Sequence, residues 1–424
     1  MAAEVRKKVD QLRRGIVPEG YKKTSFGIAP VEWTGTCLGD IYTERKEPGN
    51  ETLPLLMVSI HSGVSDGEVD EDDLPKKVKR IEDKSQYKRA ATGDLVFNMM
   101  RAWQGAIGTV RTEGMVSPAY IVAEPNKMVD PLFMDYYMKT DRMVHTIHRQ
   151  SYGVTDFRLR LYWDSFAPIK CVLPSVAEQK KIAAILTTQD KVIELKEKRL
   201  AEKQRQKKHL MQQLLTGKKR LPGFGDTWDK YELSALGRFC SGSAFPEEYQ
   251  GNADGEIPFY KVSDMNTHAY SDYLTTANNY ISSDVGEMLR ASVIPKGSIV
   301  FAKVGAALLL ERKKVLQFPS CIDNNMMAFT CKSEIVDSLY MLYWFQLQKL
   351  SKHSNIGALP SLNAGHLGHL TMCLPSKFEQ QAITNIMILA EQEILLMQQD
   401  IQQEQQKKKA LMQLLLTGIV RVEA

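Results

Sequence analysis

Apolar residues recur every three or four positions along two long stretches of the chain. In residues 373–424 they form a heptad seam, and in residues 169–220 the spacing is clear at both ends of a charged middle. Each stretch predicts one helix of roughly 40 residues, about 60 Å long. The positions expected to pair these helices, or to contact a partner, are Ile182, Leu186, Ile193, Leu200, Leu210, Leu214, Ile383, Met387, Ile394, Met397, Ile401, Leu411 and Leu415.

The two helical stretches are copies of one sequence. Residues 173–220 and 374–421 align without a gap at an offset of 201, with 20 identities over 48 positions. Each copy opens with Leu-Pro-Ser-x-x-Glu-Gln and closes with Leu-Met-Gln-x-Leu-Leu-Thr-Gly. The Ser and Glu predict a capping box at each helix start, and Gly217 and Gly418 predict the helix ends. The chain therefore carries an internal repeat.

The segments between the helices predict two folded domains of roughly 150 residues each, enough to bury a core. Short strand patterns, such as 55–60 and 257–262, alternate with helical patterns, such as 131–142 and 333–352. The predicted fold is α+β with a pseudo-two-fold repeat. Its parts are an N-terminal helix at 1–17, domains at 18–168 and 221–372, a central long helix at 169–220 and a C-terminal long helix at 373–424.

Two landmarks relate the two domains to each other. Leu38-Gly39 is expected to correspond to Leu236-Gly237. Residues 93–97 are expected to correspond to residues 297–301, each a glycine turn that enters a short strand.

Composition narrows the class of protein. The chain has 424 residues, 43% of them hydrophobic, and a net charge of +5. It has no apolar run long enough for a membrane span and a charged N-terminus without a secretory signal. Its six cysteines include no CxxC pair, so we expect a cytoplasmic protein with reduced thiols. Residues 190–220 hold eleven Lys or Arg against four acids, which concentrates positive charge on the central helix.

The usual motifs of catalysis are missing. The sequence contains no GxxxxGK[ST], HExxH or GxSxG motif and no amino-methyltransferase Asn/Asp-Pro-Pro-aromatic motif. The acidic stretch 66–73 lacks a glycine where a calcium loop needs one, so we interpret it as a solvated loop. We expect no catalytic residue, no metal and no cofactor in this chain.

Both domains carry residue types that bind DNA. Lys and Arg hold phosphates, and Arg, Asn, Gln and Ser read base edges. The alternatives are that Trp103 is a core residue and that Asn324-Asn325 only forms a turn. The candidates in the first domain are Ser59, His61, Asn98, Arg101, Trp103, Gln104, Ser151, Tyr152, Arg158 and Arg160. Those in the second are Tyr260, Lys261, Ser263, Asn266, Lys303, Arg312, Lys313, Asn324 and Asn325.

With these motifs, the chain resembles the specificity subunit of type I restriction-modification enzymes over essentially its whole length. The duplicated helix start and end carry most of the resemblance. Residues 98–108, 116–120, 257–266 and 297–305 add phrases similar to those of such subunits.

The resemblance implies two target recognition domains that each read one half of a bipartite DNA site. It implies that the long helices run antiparallel as a coiled coil, set the gap between the half-sites and dock two modification methyltransferase subunits. Restriction subunits join through these, and S-adenosylmethionine, ATP and Mg are expected on the partner subunits. The basic part of the central helix is expected to follow the DNA backbone.

Two other functions stay open from the residues alone. One is a coiled-coil scaffold that binds only proteins, and the other is a self-sufficient DNA methyltransferase or nuclease with cryptic motifs.

Overall fold

The computed structural model describes residues 2–24, 26–60, 63–65, 83–153, 155, 158–267, 271–355 and 360–422. The chain forms two compact units, residues 1–195 with 401–424, and residues 196–400. The boundaries between the units fall inside both long helices, so each unit contains part of each helix. The compact units therefore do not coincide with the domains expected from sequence.

In the first unit, short strands and short helices precede the central long helix, α6, along the chain. The unit includes residues 176–195 of that helix. Its elements are α1 (Ala2–Arg13), β1 (Tyr21–Thr24), β2 (Gly27–Pro30), β3 (Thr34–Cys37), α2 (Leu38–Ile41), β4 (Tyr42–Glu44), β5 (Val58–Ser59), β6 (Gly63–Val64), β7 (Lys88–Ala90), β8 (Leu95–Asn98), β9 (Ile107–Thr109), β10 (Gly114–Val116), β11 (Tyr120–Pro125), α3 (Pro131–Tyr137), α4 (Asp141–Gln150), α5 (Trp163–Phe166), β12 (Lys170–Leu173) and α6 (Val176–Leu214).

The second unit repeats this arrangement and takes in residues 377–400 of the C-terminal long helix, α13. Its elements are β13 (Asp229–Glu232), α7 (Leu233–Leu236), β14 (Gly237–Ser241), β15 (Ile257–Tyr260), α8 (Asp264–Thr267), β16 (Tyr273–Leu274), β17 (Tyr280–Ile281), α9 (Ser283–Met288), β18 (Ile299–Ala302), α10 (Ala306–Leu309), β19 (Lys313–Leu316), β20 (Cys321–Ile322), β21 (Met326–Cys331), α11 (Ser338–Leu347), α12 (Ala364–Gly368), β22 (Thr371–Leu374) and α13 (Lys377–Leu416).

A mainly antiparallel sheet lies at the centre of each unit. The strand order is β4-β11-β8-β9 in the first unit and β14-β21-β18-β19-β16 in the second, where only β16 pairs in parallel. Side chains alternate between the faces of such a sheet. Leu95 and Phe97 of β8 join the core beneath the long helix, whereas Val96 joins a second core on the opposite face. In the second unit, Phe301 of β18 joins the core that contains the long helices, and Val300 joins a second core on the opposite face of the sheet.

The glycine-turn landmark is confirmed by the strand register. Phe97 of β8 pairs with Ile121 of β11, and Phe301 of β18 pairs with Met327 of β21. The turns before these strands contain Gly93 and Gly297, whose φ angles of +96° and +81° lie in the region that favours glycine. The β8–β9 and β18–β19 hairpins are therefore equivalent parts of the two units.

The expected correspondence of Leu38-Gly39 with Leu236-Gly237 is wrong. Leu38 begins the short helix α2, whereas Leu236 ends the short helix α7. The strands that follow these helices pair with the ends of β11 and β21, so that Tyr42 corresponds to Gly237. The buried leucine equivalent to Leu38 is therefore Leu233, which begins α7.

The duplicated glutamine ties each long helix to a domain. Gln179 is fully buried; its Oε1 accepts from the Asp130 N–H at 2.8 Å, and its Nε2 donates to the carbonyls of Met128 and Pro174 at 3.1 and 3.0 Å. Asp130 also caps α3. Gln380 makes the same three bonds in the second unit, to Asp337, Ile335 and Pro375. The repeated motif thus fixes the start of a long helix against the start of a domain helix.

The predicted capping boxes are only half formed. Ser175 and Ser376 accept the N–H groups of Glu178 and Glu379 at 3.3 and 3.4 Å, as a cap should. The carboxylate of Glu178 instead receives two bonds from Arg421, at 2.7 and 2.9 Å. Arg220 holds Glu379 in the same way, with two bonds of 2.7 Å. Each helix start is therefore clamped by the arginine that follows the end of the other helix.

The two long helices run antiparallel in each unit, because the residue numbers of the paired side chains rise along one helix as they fall along the other. In the second unit the pairs are Lys196–Asp400 at 2.8 Å, Lys203–Glu393 at 2.9 Å and Lys207–Glu391. In the first unit, Glu178 at the start of α6 is bonded by Arg421, just after the end of α13. Further along α6, Asp190 pairs with Lys408 at 2.6 Å and Gln189 with Glu404 at 2.7 Å.

Most of the predicted seam is buried, much of it against domain cores. Buried positions are Ile182, Leu186, Leu214, Ile383, Met387, Ile394, Ile401 and Leu415. Half-buried positions are Ile193, Leu200, Leu210, Met397 and Leu411. Ile182, Leu186 and Leu415 belong to the core of the first unit, whereas Leu214, Ile383 and Met387 belong to that of the second. The seam therefore holds the domains on the helices as well as the helices on each other.

Candidate nucleic-acid interface

The first candidate surface is the loop between β8 and β9, residues 99–106. Arg101 and Gln104 are exposed, and Met100 is 47% exposed. Trp103 is half-buried; its Nε1–H donates to the Met100 carbonyl at 3.0 Å, and its ring lies 5.5 Å from that of His148. Trp103 thus supports the loop from below while the polar side chains face solvent.

A second segment lies beside this loop. The Leu161 N–H bonds the Met99 carbonyl at 2.9 Å, and Tyr152 and Arg160 form an antiparallel bridge just before it. Tyr152 is 56% exposed, and its ring lies 5.3 Å from that of Tyr162. The structure thereby brings Arg101, Gln104, Tyr152 and Arg160 to neighbouring segments, with exposed Arg158 on the same turn.

The other candidates of the first domain are less suited to contact. Ser151 at the end of α4 is buried, and its hydroxyl donates to the Ile147 carbonyl at 2.8 Å, so its side chain is not exposed for the predicted contact with DNA. Asn98 is half-buried, and its Oδ1 accepts the Met100 N–H at 2.9 Å. Ser59 is half-buried in β5, and His61 lies outside the described residues.

The second candidate surface is the loop between β18 and β19, residues 303–312. The Lys303 N–H bonds the carbonyl of Asn325 at 2.8 Å, so this loop adjoins the exposed turn of Asn324 and Asn325. Lys261 follows β15, which pairs with β20 immediately before that turn, and its Nζ donates to Gln250 at 2.6 Å. Asn324-Asn325 does form a turn, and both its side chains are exposed.

Two candidates in the second domain are corrected. Tyr260 has no exposed surface, and burial raises the pKa of its hydroxyl. Lys313 is 3% exposed; its Nζ donates to Glu311 at 2.5 Å and to the Gln348 carbonyl at 2.8 Å, and burial lowers its pKa. Both side chains stabilise the core and are not available to DNA. Ser263 and Asn266 are exposed, and Arg312 is half-buried.

The basic stretch of the central helix is partly neutralised. Lys196, Lys203, Lys207 and Arg220 are paired with acids of α13, as described above. Exposed cations on this stretch include Arg199, Arg205, Lys208, Lys218 and Lys219. Part of the positive charge on this stretch thus holds helices together instead of facing solvent.

Two negative findings apply to the part of the chain that the structure describes. No group of three or more His, Cys, Asp or Glu side chains there could hold a metal ion. No helix there is both long and apolar enough to cross a membrane. The acidic stretch 66–73 lies outside that part of the chain.

The two equivalent units define a class of protein: a repeated α+β frame that carries one partly exposed loop per unit, after equivalent strands of equivalent sheets. Residues 225–404 match the family model Methylase_S, the type I restriction modification DNA specificity domain. The family model and the curated relatives confirm that the chain is similar to the specificity subunits of type I restriction-modification systems, the resemblance drawn from the sequence.

Two curated relatives from Methanocaldococcus jannaschii are similar to the chain over nearly its whole length. The specificity subunit of the type I restriction enzyme MjaVIII is 23% identical and aligns with 96% of this chain and 99% of its own length. The putative MjaX specificity subunit is 22% identical, with coverages of 96% and 97%. Both relatives are specificity subunits of restriction enzymes, in agreement with the expectation that this chain is not itself an enzyme.

Solved structures support the fold. A chain from a study of complex assembly and conformational transition in the type I restriction-modification system has a TM-score of 0.59 and 16% identity, covering 92% of this chain and 99% of its own length. The type I S subunit from M. genitalium has a TM-score of 0.55 and 12% identity, with coverages of 92% and 97%. The α+β fold with long helices is thereby confirmed.

Proposed function

We propose that this chain reads a bipartite double-stranded DNA site, one half-site through each unit. The observation that carries this proposal is the equivalence of loops 99–106 and 303–312, which follow equivalent strands of equivalent sheets but differ in sequence. Loop 99–106 presents Arg101 and Gln104 to solvent. Loop 303–312 carries the half-buried cations Lys303 and Arg312 and adjoins the exposed amides of residues 324 and 325. Cations and amides are the groups that hold phosphates and read bases. Two different loops on one repeated frame are suited to two different half-sites.

We also propose that the chain docks two modification methyltransferase subunits, through which restriction subunits join. Leu195 and Leu396 support this proposal because they lie 201 positions apart in the repeat and are 65% and 64% exposed. Exposed leucines on a helix are typical contacts for a partner. S-adenosylmethionine, ATP and Mg would then bind the partner subunits, and the complex would act on host DNA in the cytoplasm.

Methylation mapping tests the reading of DNA. The chain is expressed with its modification subunit, and the host DNA is sequenced for methyladenine. We expect one bipartite motif with a fixed gap. An assembled, active complex that produces no motif would contradict the proposal and favour a scaffold that binds only proteins.

The two loops are tested by single substitutions in the same complex. Arg101→Ala or Lys303→Ala should weaken DNA binding, and loss of a base contact should cost about 1–3 kcal/mol of discrimination at one base pair. Lys127→Ala is the control. Lys127 is an exposed cation that follows the last residue of β11, whereas loop 99–106 begins at the other end of that strand, where Tyr120 pairs with Asn98. Equal affinity of all four proteins would show that the loops are placed wrongly.

The salt dependence of binding gives an independent measure of the phosphate contacts. With six to ten such contacts, affinity should fall about 10³–10⁵-fold between 50 and 200 mM salt. Affinity that does not change with salt would contradict contact with the DNA backbone.

A further inference from the structure

Two neighbouring leucines stand out at the tip of the second loop. Leu309 and Leu310 are 61% and 57% exposed, whereas Leu308 beside them is 3% exposed and belongs to the core of the second unit. The sequence shows only a run of three leucines, which favours a buried segment. The structure buries the first and exposes the other two.

This tip is held in place from both sides. Glu311, directly after the tip, has a backbone φ angle of +54°, which residues other than glycine rarely adopt. Its carboxylate accepts bonds from Lys313 at 2.5 Å, from the Leu350 N–H at 3.0 Å and from the Ser351 N–H at 2.9 Å. On the other side, the Gly305 N–H bonds the Pro360 carbonyl at 2.9 Å. Strained backbone that the surroundings hold in this way is typical of functional sites.

The charge around the tip matches a nucleic acid. Lys303 and Arg312 border the loop, and its one acid, Glu311, is neutralised by the buried Lys313. The exposed amides of Asn324 and Asn325 adjoin Lys303 on the same end of the sheet. An apolar tip flanked by cations and amides is complementary to a base edge between phosphates.

We infer that Leu309 and Leu310 contact thymine methyl groups in the major groove of the half-site read by the second unit. Thymine is the base that offers an apolar group there, and apolar side chains recognise it by contact with that methyl. This inference rests on the proposed function and names the base that the second loop selects. The equivalent loop of the first unit presents Arg101 and Gln104, so the two half-sites are read by different chemistry.

The test removes single methyl groups from DNA. Once the motif is mapped, duplexes are made in which each thymine of either half-site is replaced in turn by deoxyuridine, which lacks only the C5-methyl. Binding is measured for the full chain in complex with its modification subunits. We expect one or two positions in one half-site to lose about four-fold in affinity, the effect of one buried methyl group.

The double variant Leu309→Ala/Leu310→Ala should bind the thymine and deoxyuridine duplexes equally. Leu389→Ala, which also shortens an exposed leucine and lies outside the surfaces proposed for DNA and for the modification subunits, should keep the wild-type preference. The single variants Leu309→Ala and Leu310→Ala show which side chain makes the contact, and thermal melting verifies that each protein is folded.

Several outcomes would overturn the inference. They are a half-site made only of G·C pairs, deoxyuridine substitutions without effect in the wild type, and a double variant that keeps the thymine preference. Loss of the modification subunits from the double variant would also overturn it, because the leucines would then serve protein assembly. A wild-type complex without any motif would instead refute the proposed function itself.

Discussion

Replacing Arg421 by Met tests the clamp at the start of the central helix. Glu178, whose side chain is 3% exposed, loses the two hydrogen bonds that Arg421 donates and stays buried with its charge. Removing one partner of a buried ion pair costs about 3–5 kcal/mol. Arg421 is itself 35% exposed, so water reaches part of the site and we expect a loss of about 2–3 kcal/mol. In a unit of this size the loss should lower the melting temperature by about 5–10 °C.

The repeat supplies the matched control. Arg220→Met removes the same bonds from Glu379, but Glu379 also accepts a hydrogen bond from Trp228 at 3.1 Å and keeps that donor. The loss should therefore be smaller than for Arg421→Met. The double variant Arg421→Met/Glu178→Met leaves no buried charge and should recover much of the stability.

The assay is thermal unfolding of the full chain, with hydrogen exchange to show which unit opens first. Arg421→Met should increase exchange in residues 1–195 before residues 196–400. Equal losses for the two arginines, or a double variant as unstable as the single one, would refute the reasoning.

Two further predictions follow from the helices and the second loop. Leu411→Lys places a charge against the core of the first unit and should lower the free energy of unfolding by about 2–4 kcal/mol. Leu396→Lys changes an exposed position, so it should leave the melting temperature unchanged and weaken co-purification with modification subunits. The reverse pattern would contradict the assigned burial. Burial opposes ionisation of Glu311, but hydrogen bonds from Lys313 and Ser351 outweigh the burial and lower the pKa of the Glu311 carboxyl. The ionised carboxylate therefore stabilises the fold fully above the ordinary carboxyl pKa, and this stabilisation is lost as the pH falls through the lowered pKa. Glu311→Gln should therefore flatten the acid side of the stability–pH curve, and an unchanged curve would count against this role.

The sequence was informative where its pattern is local or repeated. Heptad spacing and the duplicated ends predicted both long helices, because a helix is specified by neighbours three and four positions apart. The glycine turns before β8 and β18 were equally clear, since a positive φ limits the residue choice. Loop 99–106 was found from its cation, amide and aromatic residues, and loop 303–312 from its cations Lys303 and Arg312.

Errors arose where long-range packing decides the outcome. Lys313 looks like a phosphate contact in sequence, yet Glu311 and the Gln348 carbonyl bury and satisfy its ammonium group. The capping glutamates were assigned to local bonds, although arginines more than 150 positions away bind them. Leu309 and Leu310 were missed because nothing local distinguishes an exposed leucine from a buried neighbour.

The composition of the first unit from two distant stretches has a consequence for biosynthesis. Its core needs Leu415 and Leu416, which pack with Ile182 and Leu186. The core of the second unit is supplied by residues 211–387, all of them made earlier by the ribosome. Domains usually complete their folding in order from the N-terminus. Here the unit translated first is the last to close, and its apolar surface stays open until the end of α13 has been made.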